Sequence, residues 1–162
     1  MNVLIVGSGR VGATLAGMLD DEGHAVTVVD VDRASFAHLP ATFKGTTHLG
    51  NGVDLDVLRT VGAERADAVL AFTQGDNRNL MAAQIAKEIF GVKKVFAKVN
   101  DPIRAQIYRA KGIVTVSRTT VLAVLVHGML MGQTEVGEIL LQRANALERE
   151  MAHAEATETV AG

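Results

Sequence analysis

The chain of 162 residues contains no cysteine, no tryptophan, a single tyrosine and two prolines. Without cysteine there is no disulfide, no thiolate zinc site and no cysteine nucleophile, and no need of an oxidising compartment. Aromatic residues make up 4% of the chain, too few for the stacking platforms that hold single-stranded nucleic acid. The 16 basic and 18 acidic residues leave a formal net charge of −2, so no basic field draws a nucleic-acid backbone or an anionic membrane. No uncharged apolar run approaches the roughly 18 residues that suggest a membrane span. The chain is therefore expected to bind no nucleic acid and to insert in no membrane. It also lacks HxxxD, GxSxG, HExxH and P-loop signatures, and its five histidines (His24, His38, His48, His127 and His153) share no metal-ligand spacing. Each histidine reads as an ordinary surface or core residue.

What the chain does have is alternation. Apolar residues are 48% and charged residues 21%, and the length suits one domain with its own core. Val3–Val6 is an uninterrupted apolar run, the mark of a strand buried on both faces. It is short and has no basic residue ahead of it, so Met1–Gly7 reads as a first strand and not as a secretory leader. Gly9–Asp21 follows with Val11, Leu15, Met18 and Leu19 at helical spacing, stopped by Gly23. Ala25–Val29 is a second strand, ending at Asp30. Then come a short helix over Arg33–Leu39, a weak strand at Thr46–Leu49, a helix over Asp54–Val61 and a strand at Ala68–Phe72. A helix over Asn77–Phe90, expected to carry Leu80, Ile85 and Ile89 on one side, leads to a strand at Lys94–Val99. Asp101-Pro102 starts a helix ending near Lys111, and Ile113–Val116 is the sixth strand. Strands and helices in this order predict an α/β fold with a parallel sheet and right-handed crossovers.

Beyond the sixth strand, Val121–Met131 is apolar nearly all round, broken only by His127 and Gly128. A helix of that kind is buried on every side. One sheet face cannot cover it, so a second subunit is expected to. Thr134–Met151 carries Leu140, Ala144, Leu147 and Met151 at amphipathic spacing, and Ala152–Gly162 reads as a frayed end.

Gly7-Ser8-Gly9-Arg10-Val11-Gly12 lies between the first strand and the first helix. In such a turn Gly7 permits the tight bend, Gly9 lets a phosphate approach the backbone, and Gly12 lets helix and strand pack closely. The helix N-terminus presents free N–H groups and a positive dipole end to an anion. Asp30, 18 residues beyond Gly12, stands where an acid accepts hydrogen bonds from an adenosine ribose, and its charge disfavours a 2′-phosphate. These residues predict adenine-nucleotide binding.

With Val28-Val29-Asp30-Val31-Asp32, Gly50-Asn51-Gly52, Ala66–Thr73, Asn77, Asn79-Leu80 and Val99-Asn100-Asp101-Pro102 in the same order, residues 1–132 resemble the N-terminal domain of RCK (regulator of potassium conductance) proteins. That domain occurs in the regulatory subunits of Trk-type and Ktr-type bacterial potassium uptake. The resemblance implies a Rossmann-like, doubly wound, six-stranded parallel sheet followed by a crossover helix and a helical tail. It implies a ligand among NAD(H), ATP and ADP, bound without chemistry. It also implies a homodimer or higher ring joined through Val121–Met131. The implied partners are a membrane potassium channel or transporter and a paralogous regulatory subunit, at the cytoplasmic face of the plasma membrane. Residue by residue, Gly7, Ser8, Gly9, Arg10, Val11 and Gly12 would surround the phosphates, with Arg10 as a charge partner. Asp30 would hold the ribose, and Val31, Asp32 and Arg33 would border the adenine. Asn51 and Gly52 would lie on the adenine side, where the family usually has Asp and Asn51 removes a charge. Thr73 and Gln74 would close the pocket opposite the glycines, and Lys98 would read a terminal phosphate. Residues 133–162 are expected to form a tail too short for the further ligand-binding domain of many members. Two other readings stand beside this one. An NAD-dependent oxidoreductase would need a proton donor and a substrate domain, for which no residues are evident. A structural dimerisation module would carry only a vestigial pocket.

Overall fold

The computed structural model describes residues 1–132 together with Gly137, Ile139, Leu140, Gln142 and Asn145. Those last five positions are helical. The rest of the helix expected over Thr134–Met151, and the expected frayed end, lie outside the described residues.

Residues 1–117 form one compact unit. Its six strands are β1 (Asn2–Val6), β2 (Ala25–Asp30), β3 (Thr46–Leu49), β4 (Ala68–Ala71), β5 (Lys94–Lys98) and β6 (Val114–Val116). Between them run α1 (Arg10–Asp21), α2 (Leu55–Thr60), α3 (Asp76–Gln84) and α4 (Pro102–Ala110). All neighbouring strands are parallel, and their order across the sheet is β3-β2-β1-β4-β5-β6. This is the doubly wound order of the Rossmann sheet, whose direction of winding reverses between β1 and β4. Ligands of such sheets bind outside the C-terminal strand ends at that reversal.

Both faces of the sheet are covered, which is why β1 and β4 read as unbroken apolar runs. Leu4, Val6, Val29, Val69, Val95 and Ala97 pack with Leu58 of α2, Leu80 and Ala83 of α3 and Ala105 of α4. On the other face, Val3, Ile5, Val26, Val28 and Leu70 pack with Ala16 of α1 and with partly buried Leu15, Leu19, Phe36 and Phe43. The side of α1 that is fully buried is made of small residues, Gly12, Ala13, Ala16 and Gly17. The large residues of the helical pattern flank that contact, and Val11 is exposed.

The structure departs from the sequence pattern in two places. Arg33–His38 is a 3-10 helix, capped by the Asp32 carboxylate accepting from Ala34 N–H. The segment after α3 closes as a π-turn over Ile85–Ile89, with Phe90 N–H bonded to Ile85 O. The wider turn disturbs the 3.6-residue register. Leu80 and Ile85 stay buried as expected, but Ile89 turns outward and is 54% exposed, while Phe90 packs against the core.

A second unit begins at Arg118. Its helix α5 (Arg118–Leu130) contains the expected Val121–Met131 stretch except Met131, which follows it, and none of the helix's residues is buried. Among the described residues no helix is long and apolar enough to cross a membrane.

Candidate functional site

Because the strands are parallel, the segments that follow them gather at one edge. The glycine turn follows β1, and Val31, Asp32 and Arg33 follow β2. Asn51 and Gly52 follow β3, Thr73 and Gln74 follow β4, and Lys98 is the last residue of β5. Every residue expected at the site thus stands at the C-terminal edge. Lys98, at the end of β5, is two strand spacings from β1, or roughly 10 Å, as is the end of β3 on the other side. Alternation along β5 sends it to the Phe96 side, the side on which α1 packs.

The glycine turn is held from several directions. Gly7 has φ 108°, and a methyl group there would meet the Phe72–Thr73 peptide at 2.9 Å. A methyl group on Gly12 would fall 1.9 Å from Gly7 O. Both glycines are demanded by the fold. Gly7 N–H donates to Val29 O at 2.8 Å, and Ser8 N–H donates to Asp30 Oδ2 at 2.6 Å. The other Asp30 oxygen accepts from Asp32 N–H at 2.9 Å. The acid thus ties the β1 turn to the β2 turn, and each carboxylate oxygen keeps lone-pair capacity for a further donor such as a ribose hydroxyl.

Ser8 itself is fully buried. Its hydroxyl donates to Ser35 O at 3.1 Å, and the His38 ring donates through Nδ1–H to Ser35 O at 2.9 Å and Ser8 O at 3.2 Å. Ser35 and His38 therefore buttress the turn from behind. Sequence reasoning set His38 aside as an isolated histidine, and no spacing rule marks it, because its partners are backbone carbonyls on two segments.

Gly9 differs from its neighbours. Its φ of −70° and ψ of 177° suit any residue, and a methyl group there would meet no protein atom within 4 Å. Of the glycines in residues 1–117, only Gly75, after β4, is equally free of both positive φ and close neighbours. Gly9 and Gly75 are the N-caps of α1 and α3, and neither helix has a side-chain cap. By contrast Asp54 caps α2 and Asp101 caps α4 through their carboxylates. The two helices that start beside the β1–β4 reversal thus present bare N–H groups to the space there, and the fold itself supplies no reason for either glycine. Exposed Arg10 and Val11 flank this opening. That combination fits a phosphate.

On the β3 side, Gly50 N–H donates to Asp30 O at 2.8 Å. Gly52 lies against Val6, whose Cγ1 would be 2.2 Å from an added methyl group. Asn51 is exposed, and its side-chain oxygen accepts from Val53 N–H at 3.3 Å. On the β4 side, Thr73 is fastened to Asn79 of α3, a buried residue to which the sequence pattern assigns no role. A separate cleft of about 200 Å³ at the opposite strand ends, beside Asn2, Thr27 and Arg65, contains none of the expected residues. Among the described residues no group of three or more histidine or acidic side chains is placed to hold a metal.

The model of the TrkA-N domain family matches residues 3–119. The Trk system potassium uptake protein TrkA of Streptomyces coelicolor is 46% identical over 117 residues, covering 72% of this chain and 52% of that protein. A TrkA homolog of Methanothermobacter thermautotrophicus is 32% identical over 113 residues, 70% of this chain and 52% of the relative. The chain thus spans about half the length of these curated relatives. Among solved structures, the TrkA-N domain of inner membrane protein ybaL from Escherichia coli superposes with TM-score 0.69 at 17% identity, covering 83% of this chain and 96% of that one. The GsuK RCK domain gives 0.67 at 20% identity, covering 83% and 29%. At such identities the likeness speaks for the fold.

Proposed function

The chain belongs to the TrkA-N domain family, and from that premise we propose that residues 1–132 form the nucleotide-binding domain of a potassium-uptake regulator. The ligand is NAD(H), ATP or ADP, and the domain binds it without transforming it. The observation that carries this reading is Gly9: an unstrained glycine with open space beside it, at the bare N-terminus of α1, with Asp30 holding the adjacent turn. Structural relatives support the ligand class, since GsuK has been seen with NAD and with ADP, and the Kef C-terminal domain of Shewanella denitrificans with AMP.

In this reading Gly7 to Gly12 surround the phosphates and Asp30 holds the ribose. Val31, Asp32, Arg33, Asn51 and Gly52 border the adenine side, and Thr73 and Gln74 form the far rim. Arg10 and Lys98 are the candidates to favour a γ-phosphate, through charge-assisted contacts that ADP cannot make. The ligand regulates transport only insofar as it binds two assembly states with different affinity. Calorimetric titration with ATP, ADP, NAD+ and NADH is expected to show binding with clear preference among the four. Equal affinity for all, or affinity for none, overturns the sensing role.

The assembly is proposed to run through α5, a helix with no buried residue and with Val121, Leu122, Val124, Val126 and Leu130 all more than half exposed. Leaving that much apolar surface in water is costly, at roughly 25 cal/mol per Å². Light scattering behind size exclusion is expected to give a dimer or larger. A monomer at micromolar concentration contradicts the crossover role of α5. The partner is a membrane potassium channel or transporter on whose cytoplasmic side the domain acts, with a paralogous regulatory subunit as a second partner.

A further inference from the structure

Asn79 is fully buried near the start of α3, and its amide uses its whole hydrogen-bonding capacity. Its Oδ1 accepts from both Thr73 N–H and Thr73 Oγ1–H at 2.7 Å. Its Nδ2 donates to Thr73 O at 3.2 Å and to Lys98 O at 2.8 Å. Four bonds from one side chain therefore fix Thr73, two residues past β4, and Lys98, the last residue of β5, relative to each other. A buried side chain of this kind is committed, because each partner it leaves would lose its hydrogen bond away from water.

Its neighbours on the same turn grip the same connection. Asp76 Oδ2 accepts from Asn100 N–H and Asp101 N–H, each at 2.9 Å. Asn77 Oδ1 accepts from the Arg104 guanidinium. These two act on the exposed side of the β5–α4 link, whereas Asn79 alone reaches inside to the strand ends. No backbone bond of the sheet does its work, since the β4–β5 ladder stops at Ala71 and Ala97. Beyond that point each strand leads on to its own helix, and the Asn79 amide joins Thr73 to the Lys98 carbonyl.

We propose that Asn79 is a positioning residue of the nucleotide site: it sets the far rim by holding Thr73 and Lys98 in register, and ligand affinity depends on it although it does not touch the ligand. This rests on the pocket reading given above. The bland alternative is a buried polar residue that only stabilises α3.

The two are separated by comparing Asn79→Leu, close in volume but without the amide, with Leu80→Ala. Leu80→Ala weakens the same helix from the core side and leaves the rim bonds in place. Each is titrated with ATP well below its unfolding midpoint, and amide exchange is followed at Thr73 without ligand. Both variants are expected to melt earlier. Asn79→Leu should bind ATP at least about tenfold more weakly and lose protection at Thr73. Leu80→Ala should stay within about twofold of the parent and keep that protection. If Asn79→Leu does not fold, Asn79→Asp replaces it. That variant keeps an acceptor for Thr73 and turns an oxygen toward the Lys98 carbonyl, and it is expected to weaken binding by a similar factor. Unchanged affinity in the Asn79 variant that folds, or an equal loss in Leu80→Ala, overturns the proposal. A parent chain that binds no nucleotide overturns the pocket reading and this proposal together, and that result is visible before any variant is made.

Discussion

Gly9→Asp is expected to raise the thermal midpoint while weakening nucleotide binding by about a hundredfold or more, whereas Gly12→Ala, three residues on, is expected to lower the midpoint sharply. The two glycines belong to one motif but answer to different constraints. At Gly9 the backbone is already in the extended region that an N-cap adopts, and nothing stands in the way of a side chain. An aspartate there would cap α1 as Asp54 and Asp101 cap α2 and α4. That should add roughly 0.5–1 kcal/mol. The same carboxylate would occupy the phosphate position and repel it, reducing affinity by about a hundredfold or more, equivalent to about 2.7 kcal/mol. At Gly12 the added carbon would overlap Gly7 O at 1.9 Å, and that oxygen belongs to the backbone and cannot swing away. Either α1 lifts off β1 or the turn breaks, at a cost of at least about 3 kcal/mol. That corresponds to a midpoint lower by roughly 10 °C or more. Circular dichroism melts with calorimetric titration test both. A Gly9→Asp protein that still binds ATP normally would remove the main support for a phosphate at that turn.

The second large effect is expected at Asp30. Asp30→Ala should weaken ATP binding at least about tenfold, and it should also loosen the turn before any ligand arrives. The carboxylate accepts from Ser8 N–H at 2.6 Å and Asp32 N–H at 2.9 Å, so removing it frees two donors, one of them on a fully buried residue. Hydrogen bonds to a charged group are worth about 1.5–3 kcal/mol each; partial exposure of Asp30 places the whole loss at about 2 kcal/mol. Amide exchange at Ser8 in the ligand-free protein is the decisive measurement. Faster exchange together with weaker binding means that the acid shapes the loop as well as receiving the sugar. Weaker binding with exchange unchanged at Ser8 would confine Asp30 to the ribose.

Much of this was legible in the chain itself, for physical reasons that differ from element to element. β1 and β4 could be read because burial on both faces leaves Val3–Val6 and Ala68–Ala71 without a polar residue. The glycine turn could be read because Gly7 and Gly12 are forced by a positive φ and by a close approach. The TrkA-N match confirms the family that the wider set of motifs suggested. Other features left no such trace. Ser8 in a glycine turn looks exposed, yet it is buried by Ser35 and His38, whose contribution is to backbone carbonyls. Asn79 stands in the sequence only as part of the family motif, and its role shows once its amide is seen to reach the end of β5. The π-turn that turns Ile89 outward spans Ile85–Ile89, and the spacing of Leu80, Ile85 and Ile89, five and then four residues, does not mark it, so an α-helical reading carried the pattern one turn too far. α5 was legible as apolar on all sides, but what covers it is not written in its own residues.

The middle position of β1 also governs the order in which the domain can be made. Its first partner is close at hand: Asn2 pairs with Ala25, 23 residues on. Its second is remote, since Val3 pairs with Ala68, 65 residues on. A growing chain can therefore join β1, β2 and β3, and with them the glycine turn and Asp30, well before Thr73 and Lys98 exist. Through that interval the other edge of Val3–Val6 stands unpaired, an apolar, uncharged strand open to any extended neighbour. The strand that leads into the glycine turn is thus an open apolar edge in the nascent protein until β4 has been synthesised.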